Sequence, residues 1–319
     1  MKSRLLAALT TLALFTTSTP VHAVNAVAID QAAEFARCAA PDLIVNKLAT
    51  DLGFIEGPIW DPASRSLIFS DIPNNELKRW TVAAGLTSFR QPSRNANGNT
   101  FDLIGRLLTC EHSGRRVARL EKDGSLATVV DHFEGKKFNS PNDVVVQSNG
   151  VIWFTDPEYG LKNKPGSKEK SDKQQAGNFV FRHDPKTGTT TAVVRDFAQP
   201  NGLAFSPDEK TLYVADSGPP RHIRSFAVAA DGTLSPGRVF CTIDQGGPDG
   251  IRVDRDGRVW SSAGDGVHIF SPDGTRVGKI LVPESPANLC FGGDDGKTLF
   301  ITARKSLYAV TVKVTGASR

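Results

Sequence analysis

Ser140-Pro141-Asn142-Asp143-Val144-Val145-Val146-Gln147-Ser148-Asn149-Gly150-Val151-Ile152-Trp153-Phe154-Thr155-Asp156 reads as a strand, a glycine turn and a second strand, with an amide at its start and a carboxylate at its end. The same grammar returns five more times. Glu56 opens a copy that closes at Asp71, Asn97 one that closes at Glu111, and Asn201 one that closes at Asp216. Asp249 opens a copy closing at Ala263, and Asn288 one closing at Ala303. Opening and closing residues lie 14 or 15 positions apart, and successive openings are 41, 45, 59, 48 and 39 residues apart. Six copies of one unit imply one six-part body.

A second, more polar hairpin follows most copies: Leu77–Trp80 with Thr87–Phe89, Arg116–Leu120 turning at Asp123-Gly124, Phe179–Arg182 turning at Thr187-Gly188. Ile223–Phe226 turns at Asp231-Gly232 and Val267–Phe270 at Asp273-Gly274. Two-residue Asp-Gly turns of this kind predict hairpins, so each repeat is a four-stranded antiparallel sheet. Six such sheets set radially make an all-β, six-bladed β-propeller. The last repeat is one strand short, and the N-terminal Leu43–Val45 segment is expected to supply that strand and close the ring.

The ends of the chain divide it further. Lys2 and Arg4, the apolar run Leu5–Phe15 and Val21-His22-Ala23 read as an export signal over residues 1–23, which predicts a periplasmic or secreted protein. The run is too short to span a bilayer, and no longer one follows. Residues 24–42 are an alanine-rich extension expected to form a short outer helix, and 43–319 are the propeller. Without Lys2 and Arg4 the formal charge of +4 falls to +2, 36 basic against 34 acidic residues, which gives no electrostatic case for nucleic acid. Cys38, Cys110, Cys241 and Cys290 allow three disulfide pairings or buried free thiols, and their spacing does not choose. Residues 158–177 break the rhythm; on a propeller they project beside the channel mouth as a solvated loop or a substrate wall.

Equivalent positions in a radial array point at one axis. Glu56, Asn97, Asn142, Asn201, Asp249 and Asn288 therefore form a ring of oxygen-bearing side chains at one end of the channel. Singly, Asn-Gly and Asp-Gly are ordinary turn dipeptides. Together, two carboxylates and several amides suit a hard cation, Ca²⁺ first, with Zn²⁺, Mn²⁺ or Mg²⁺ as substitutes. The closing acids Asp71, Glu111, Asp156 and Asp216 come next, as ligand supports, substrate contacts, a base, or exposed strand caps. His112, beside Glu111, reads either as a base or substrate contact or as a structural histidine.

Glu56-Gly57-Pro58, Asn139–Val146 leading to Phe154-Thr155-Asp156-Pro157, Pro200–Asp208 and Pro248-Asp249-Gly250 resemble the SMP-30/gluconolactonase family, in its bacterial gluconolactonase branch, from about residue 43 onward. The resemblance implies a six-bladed propeller, one divalent cation and lactone hydrolysis. It implies Glu56, Asn201 and Asp249 as ligands, with Asn142 ligating or held through a ligand water. Animal members carry arginine where this chain has Ser140, so their sugar contacts do not transfer. The expected reaction is metal-assisted hydrolysis of a sugar lactone with Asp249 as base, ahead of Asp156 and His112. Asn97, Asn142, Asp156 and Tyr159 are expected to touch substrate hydroxyls. The alternatives are a lactonase or esterase for a different ester, and a non-catalytic periplasmic ligand-binding propeller. Metal dependence separates the last from the others.

Overall fold

The computed structural model describes residues 26–162, 170 and 172–317; the export-signal reading of 1–23 lies outside them. Six antiparallel sheets stand around an axis. Blade 1 runs Ile55–Asp61, Ser66–Asp71, Glu76–Thr81 and Gly85–Arg90, and blade 2 runs Ala96–Phe101, Leu107–Glu111, Arg116–Leu120 and Leu126–Val130. Blade 3 is Val144–Val146, Ile152–Asp156, Asn178–Asp184 and Thr189–Phe197; blade 4 is Pro200–Phe205, Thr211–Asp216, His222–Ala227 and Arg238–Thr242. Blade 5 is Ile251–Val253, Val259–Ser262, Gly266–Phe270 and Arg276–Leu281. Blade 6 is Pro286–Gly292, Thr298–Ala303 and Ser306–Thr311, completed by the N-terminal strand Asn46–Ala49.

The ring thus closes between the two ends of the chain, three residues later than Leu43–Val45. Asn46 pairs with Ala309, while Leu43 and Val45 turn their side chains onto the core between blades 5 and 6. Blade 5 also departs from four strands. Val27–Ile29 joins its outer edge, with Ala28 opposite Lys279, and the helix Ala32–Cys38 then packs Phe35 and Cys38 into the same core. Among the described residues, no helix is long and apolar enough to cross a membrane.

The inner strands are apolar on both faces because each blade is covered by two neighbours. Ile152 and Phe154 face blade 2, whereas Trp153 between them faces blade 4. One hydrophobic cluster fills each of the six interfaces between blades. Fully burying a Phe or Trp contributes about 2–3 kcal/mol, so the rings of Trp153, Phe154 and Phe181 are a large share of what holds blade 3. The four cysteines sit in these clusters as free, buried thiols.

Two local expectations change. Around Asp123-Gly124, Glu121 N donates to Ser125 O at 2.9 Å and Glu121 O accepts from Gly124 N at 3.0 Å, so the loop has three residues, and Gly124 takes the left-handed position at φ 85°. The dipeptides at the ring are not hairpin turns: Asn97-Gly98 and Asn201-Gly202 lie within first strands, and Asp249-Gly250 leads directly into one. A Cβ on Gly98 would stand 2.5 Å from the Asn142 carbonyl oxygen, and one on Gly202 2.3 Å from that of Asp249. Glycine is required there because each blade's backbone touches the ring residue of the next: Gly98 N donates to Asn142 O at 2.7 Å and Gly202 N to Asp249 O at 3.0 Å. Hydroxyls from the second strands add to this collar, Ser70 Oγ donating to Asn97 O and Thr155 Oγ1 to Asn201 O.

Candidate active site

The collar surrounds an axial cavity of about 410 Å³. Glu56, Asn97, Asn142, Asn201 and Asp249 line it together with His112 and Tyr159. The sixth ring residue stands behind this wall. Asn288 donates from Nδ2 to Glu56 Oε2 at 2.9 Å and accepts from the Leu289 amide, so it orients Glu56. Gly57 N also donates to Glu56 Oε2, at 2.6 Å.

Two carboxylates meet at the floor. Burial pushes the Glu56 carboxyl up to about 7, against the pull of the Asn288 and Gly57 hydrogen bonds. Burial raises Asp249 well above the carboxylate range, the charge of Glu56 and then that of Asp143 add to it, and an Asn201 hydrogen bond opposes them. Asp143 is itself buried and meets Arg252 at 3.4 Å. When ionised, the carboxylates of Glu56, Asp143 and Asp249 against the one Arg252 guanidinium carry two net negative charges, the charge of one divalent cation. Asp249 Oδ1 and Asn97 Oδ1 are buried with no hydrogen-bond partner. Among the described residues no three His, Cys, Asp or Glu side chains gather as a metal group, because amides make up half of this donor set. Orphaned oxygens, excess negative charge and mixed carboxylate and amide donors fit a hard cation held by Glu56, Asn142, Asn201 and Asp249.

The walls orient these groups. His112 is buried, and burial pushes its imidazole down to about 4, so the ring is neutral at pH 7. Its Nε2 lies 3.3 Å from Asn97 Nδ2 and accepts from that amide. Asn201 Nδ2 donates to Ser217 Oγ at 2.9 Å, and Ser217 donates on to the Pro248 carbonyl. Tyr159 is half exposed, but its hydroxyl reaches inward; burial, then the charge of Asp249, pushes the phenol up to about 12. Gly160 brings that segment against His112 and Ser140, where a Cβ would stand 2.7 Å from either side chain's own Cβ. Residues 163–169 and 171 of the 158–177 loop lie outside the described residues. Phe54, Ile72, Ser217, Gly247 and Pro248 also line the cavity and were not singled out from sequence. A signal was available for Phe54 and Pro248, which flank ring positions, but an apolar residue beside a strand reads as core.

Asp156 does not reach the cavity. Its Oδ2 accepts from Asn139 N at 2.8 Å, and burial raises the carboxyl to about 7, opposed by backbone hydrogen bonds from Asn139 and Ser140. The other closing acids serve the same end. Asp71 accepts from Gly53 N at 3.2 Å, and Asp216 from the amides of Ala198, Gln199 and Gly218 at 2.9–3.0 Å. Glu111 instead takes Arg90 at 3.3 Å and Arg116 at 2.7 Å. These acids tie down the segments leading into the first strands, so Asp156 is placed as a structural latch and not as base or substrate contact.

A family model described as the SMP-30/gluconolactonase/LRE-like region matches residues 54–305, which include all six positions from Glu56 to Asn288. The chain belongs to that family. A gluconolactonase of Zymomonas mobilis subsp. mobilis is 34% identical over 297 residues, covering 85% of this chain and 82% of that protein. A pentonolactonase of Haloferax volcanii is 29% identical over 255 residues, covering 77% of this chain and 80% of that protein. Among solved structures, a gluconolactonase of Xanthomonas campestris superposes with a TM-score of 0.83 at 36% identity, covering 90% of this chain and 94% of that one. The family's six-bladed architecture is the one built here, and the relatives' names are those of lactone hydrolases.

Proposed function

We propose that the protein hydrolyses a sugar lactone in the axial cavity with the help of one divalent cation, Ca²⁺ first and Zn²⁺, Mn²⁺ or Mg²⁺ as substitutes. The gluconolactonase and pentonolactonase relatives support the substrate class. The observation that carries the metal is the pair Glu56, buried, and Asp249, half-buried, at one cavity, with Asp249 Oδ1 left without a hydrogen-bond partner. When bound by Glu56, Asn142, Asn201 and Asp249, the cation supplies a Lewis acid for the lactone carbonyl. Asp249 takes a proton from the attacking water as its oxygen bonds to the acyl carbon. As the acyl–oxygen bond breaks, the same carboxyl returns the proton to the departing ring oxygen, leaving the open hydroxy acid. His112 keeps Asn97 turned so that Oδ1 faces a substrate hydroxyl, and Tyr159, protonated throughout, donates to another. Export to the periplasm or beyond belongs to this reading, supported by the Lys2–Ala23 pattern and tested by N-terminal sequencing of the mature protein.

The test is hydrolysis of glucono-1,5-lactone by purified protein, followed by proton release, after chelation and after adding each ion back. Activity lost on chelation and restored by a divalent ion is the expected result. Activity indifferent to chelation would remove the metal from the proposal, and no activity with any ion would remove this lactone.

A further inference from the structure

Blade 5, which carries Asp249, is held differently from blades 1, 3 and 4. In those three the acid ending the second strand captures an amide three residues before the ring residue, at Gly53, Asn139 and Ala198. Blade 5 has Ala263 in that place. Its lead-in, residues 244–248, lies against the next residue: Gly264 N donates to Gln245 O at 2.7 Å, and a Cβ on Gly246 would stand 2.8 Å from Gly264 Cα. No carboxylate fits between them.

The acid sits on the lead-in itself. Asp244 accepts from Lys279 Nζ at 2.9 and 3.1 Å and from Arg276 Nη1 at 2.6 Å. Lys279, only 8% exposed, also donates to Asp265 Oδ2 at 3.0 Å, and Asp265 Oδ1 pairs with Nε2 of the fully buried His268 at 2.7 Å. Arg276 continues to Asp30 at 2.6 Å, beside the extra strand of this blade. Blade 6, which closes on Ala303, repeats the inversion: Glu284 on its lead-in accepts from Ser306, Tyr308 and the Lys305 amide.

The inversion matters most in blade 5. The chain leading to Asp249 there is Gly246-Gly247-Pro248, and the glycine pair resists displacement poorly. The far end is tied, Pro248 O by Ser217 and Gly250 N by Ala287 O at 2.8 Å. The near end is tied through Asp244. We propose that Asp244 and Lys279 are positioning residues: their clasp fixes the near end of the glycine lead-in and so holds Asp249 in the cavity. The proposal rests on Asp249 being the working carboxylate.

The test compares the whole protein with Asp244→Asn, Lys279→Met and the double variant, by hydrogen exchange and by steady-state hydrolysis. Exchange over residues 245–250 is expected to quicken about tenfold while the blade 4 lead-in, 198–201, is unchanged. Turnover is expected to fall about tenfold with KM within about twofold, and the double variant to be no slower than the worse single one. Should Lys279→Met fail to fold, Asp244→Asn, which keeps its shape at a half-exposed site, carries the test. Wild-type exchange at 245–250 in that folded variant overturns the clasp; faster exchange with unaltered turnover overturns its role in positioning Asp249. A wild type that hydrolyses no lactone refutes the proposed function instead, while exchange still decides the clasp.

Discussion

Four of the six hairpin repeats begin and end with an oxygen-bearing side chain at the same end of the propeller, yet in these four the beginnings line the cavity and the ends do not. Glu56, Asn97, Asn142, Asn201 and Asp249 stand on first strands or two residues before them, where neighbouring backbones already satisfy one another and the side chains face the cavity. Asp71, Asp156 and Asp216 stand one strand further out, beside the unpaired amides of the incoming chain, and those amides claim them. A buried carboxylate that accepts backbone amides fixes the chain that donates them; one left facing another carboxylate stores the repulsion a cation can relieve.

Substitutions at the two columns should therefore separate activity from stability. The largest effect is expected for Asp249→Asn: hydrolysis down by about 10³-fold or more, with a higher melting temperature in chelator because the repulsion with Glu56 is gone. Rate assays and thermal melts read both, and an active variant would break the contrast. Asp216→Ala reverses the pattern, costing about 3 kcal/mol for three deserted backbone amides, seen in denaturant melts, while turnover stays within about threefold.

Acidification gives opposite signs to a group on the cavity wall and to a closing acid. His112 is held near 4 against an ordinary 6.5, so the unfolded chain binds the proton first. Stability is then lost as pH falls from about 6.5 to 4, by at most about 3 kcal/mol. Asp156 is raised from 3.8 to about 7, so its burial costs most above pH 7 and that cost is relieved as pH falls toward 4. Melting curves against pH in chelator should show the advantage of His112→Asn over wild type growing toward pH 4, and that of Asp156→Asn shrinking. Parallel slopes would show that the two buried groups do not differ as their surroundings require. The smallest effect is expected at Tyr159→Phe, a few-fold rise in KM with unaltered stability, since one hydrogen bond to a substrate hydroxyl is worth about 1 kcal/mol.

The six-fold repeat was legible because its signals are local: alternating apolar strands, glycine turns, and a constant spacing from opening to closing residue. The ring followed from it, since equivalent positions in a radial array share an axis. Asp156 was misread for the same reason. Spacing says that a side chain returns to the channel end, but not whether the amide of Asn139 reaches it first. Asn288 is a milder case, its column right and its place behind Glu56 set by a single hydrogen bond. Phe54 and Ile72 were passed over because an apolar side chain at a strand end looks the same whether it faces core or cavity.

By itself the sequence determined the blade count, the closure of the ring by its own N-terminal side, the family, and which residues gather at the axis. Those depend on periodicity and on short-range backbone preference, which are written along the chain. Only the tertiary structure decided that Gly98 and Gly202 serve close approach and not turns, that Asp156 is a latch, and that Asp244 is held by Lys279. Each of these depends on which donor lies nearest across residues distant in the chain, and that distance exists only once the blades have packed.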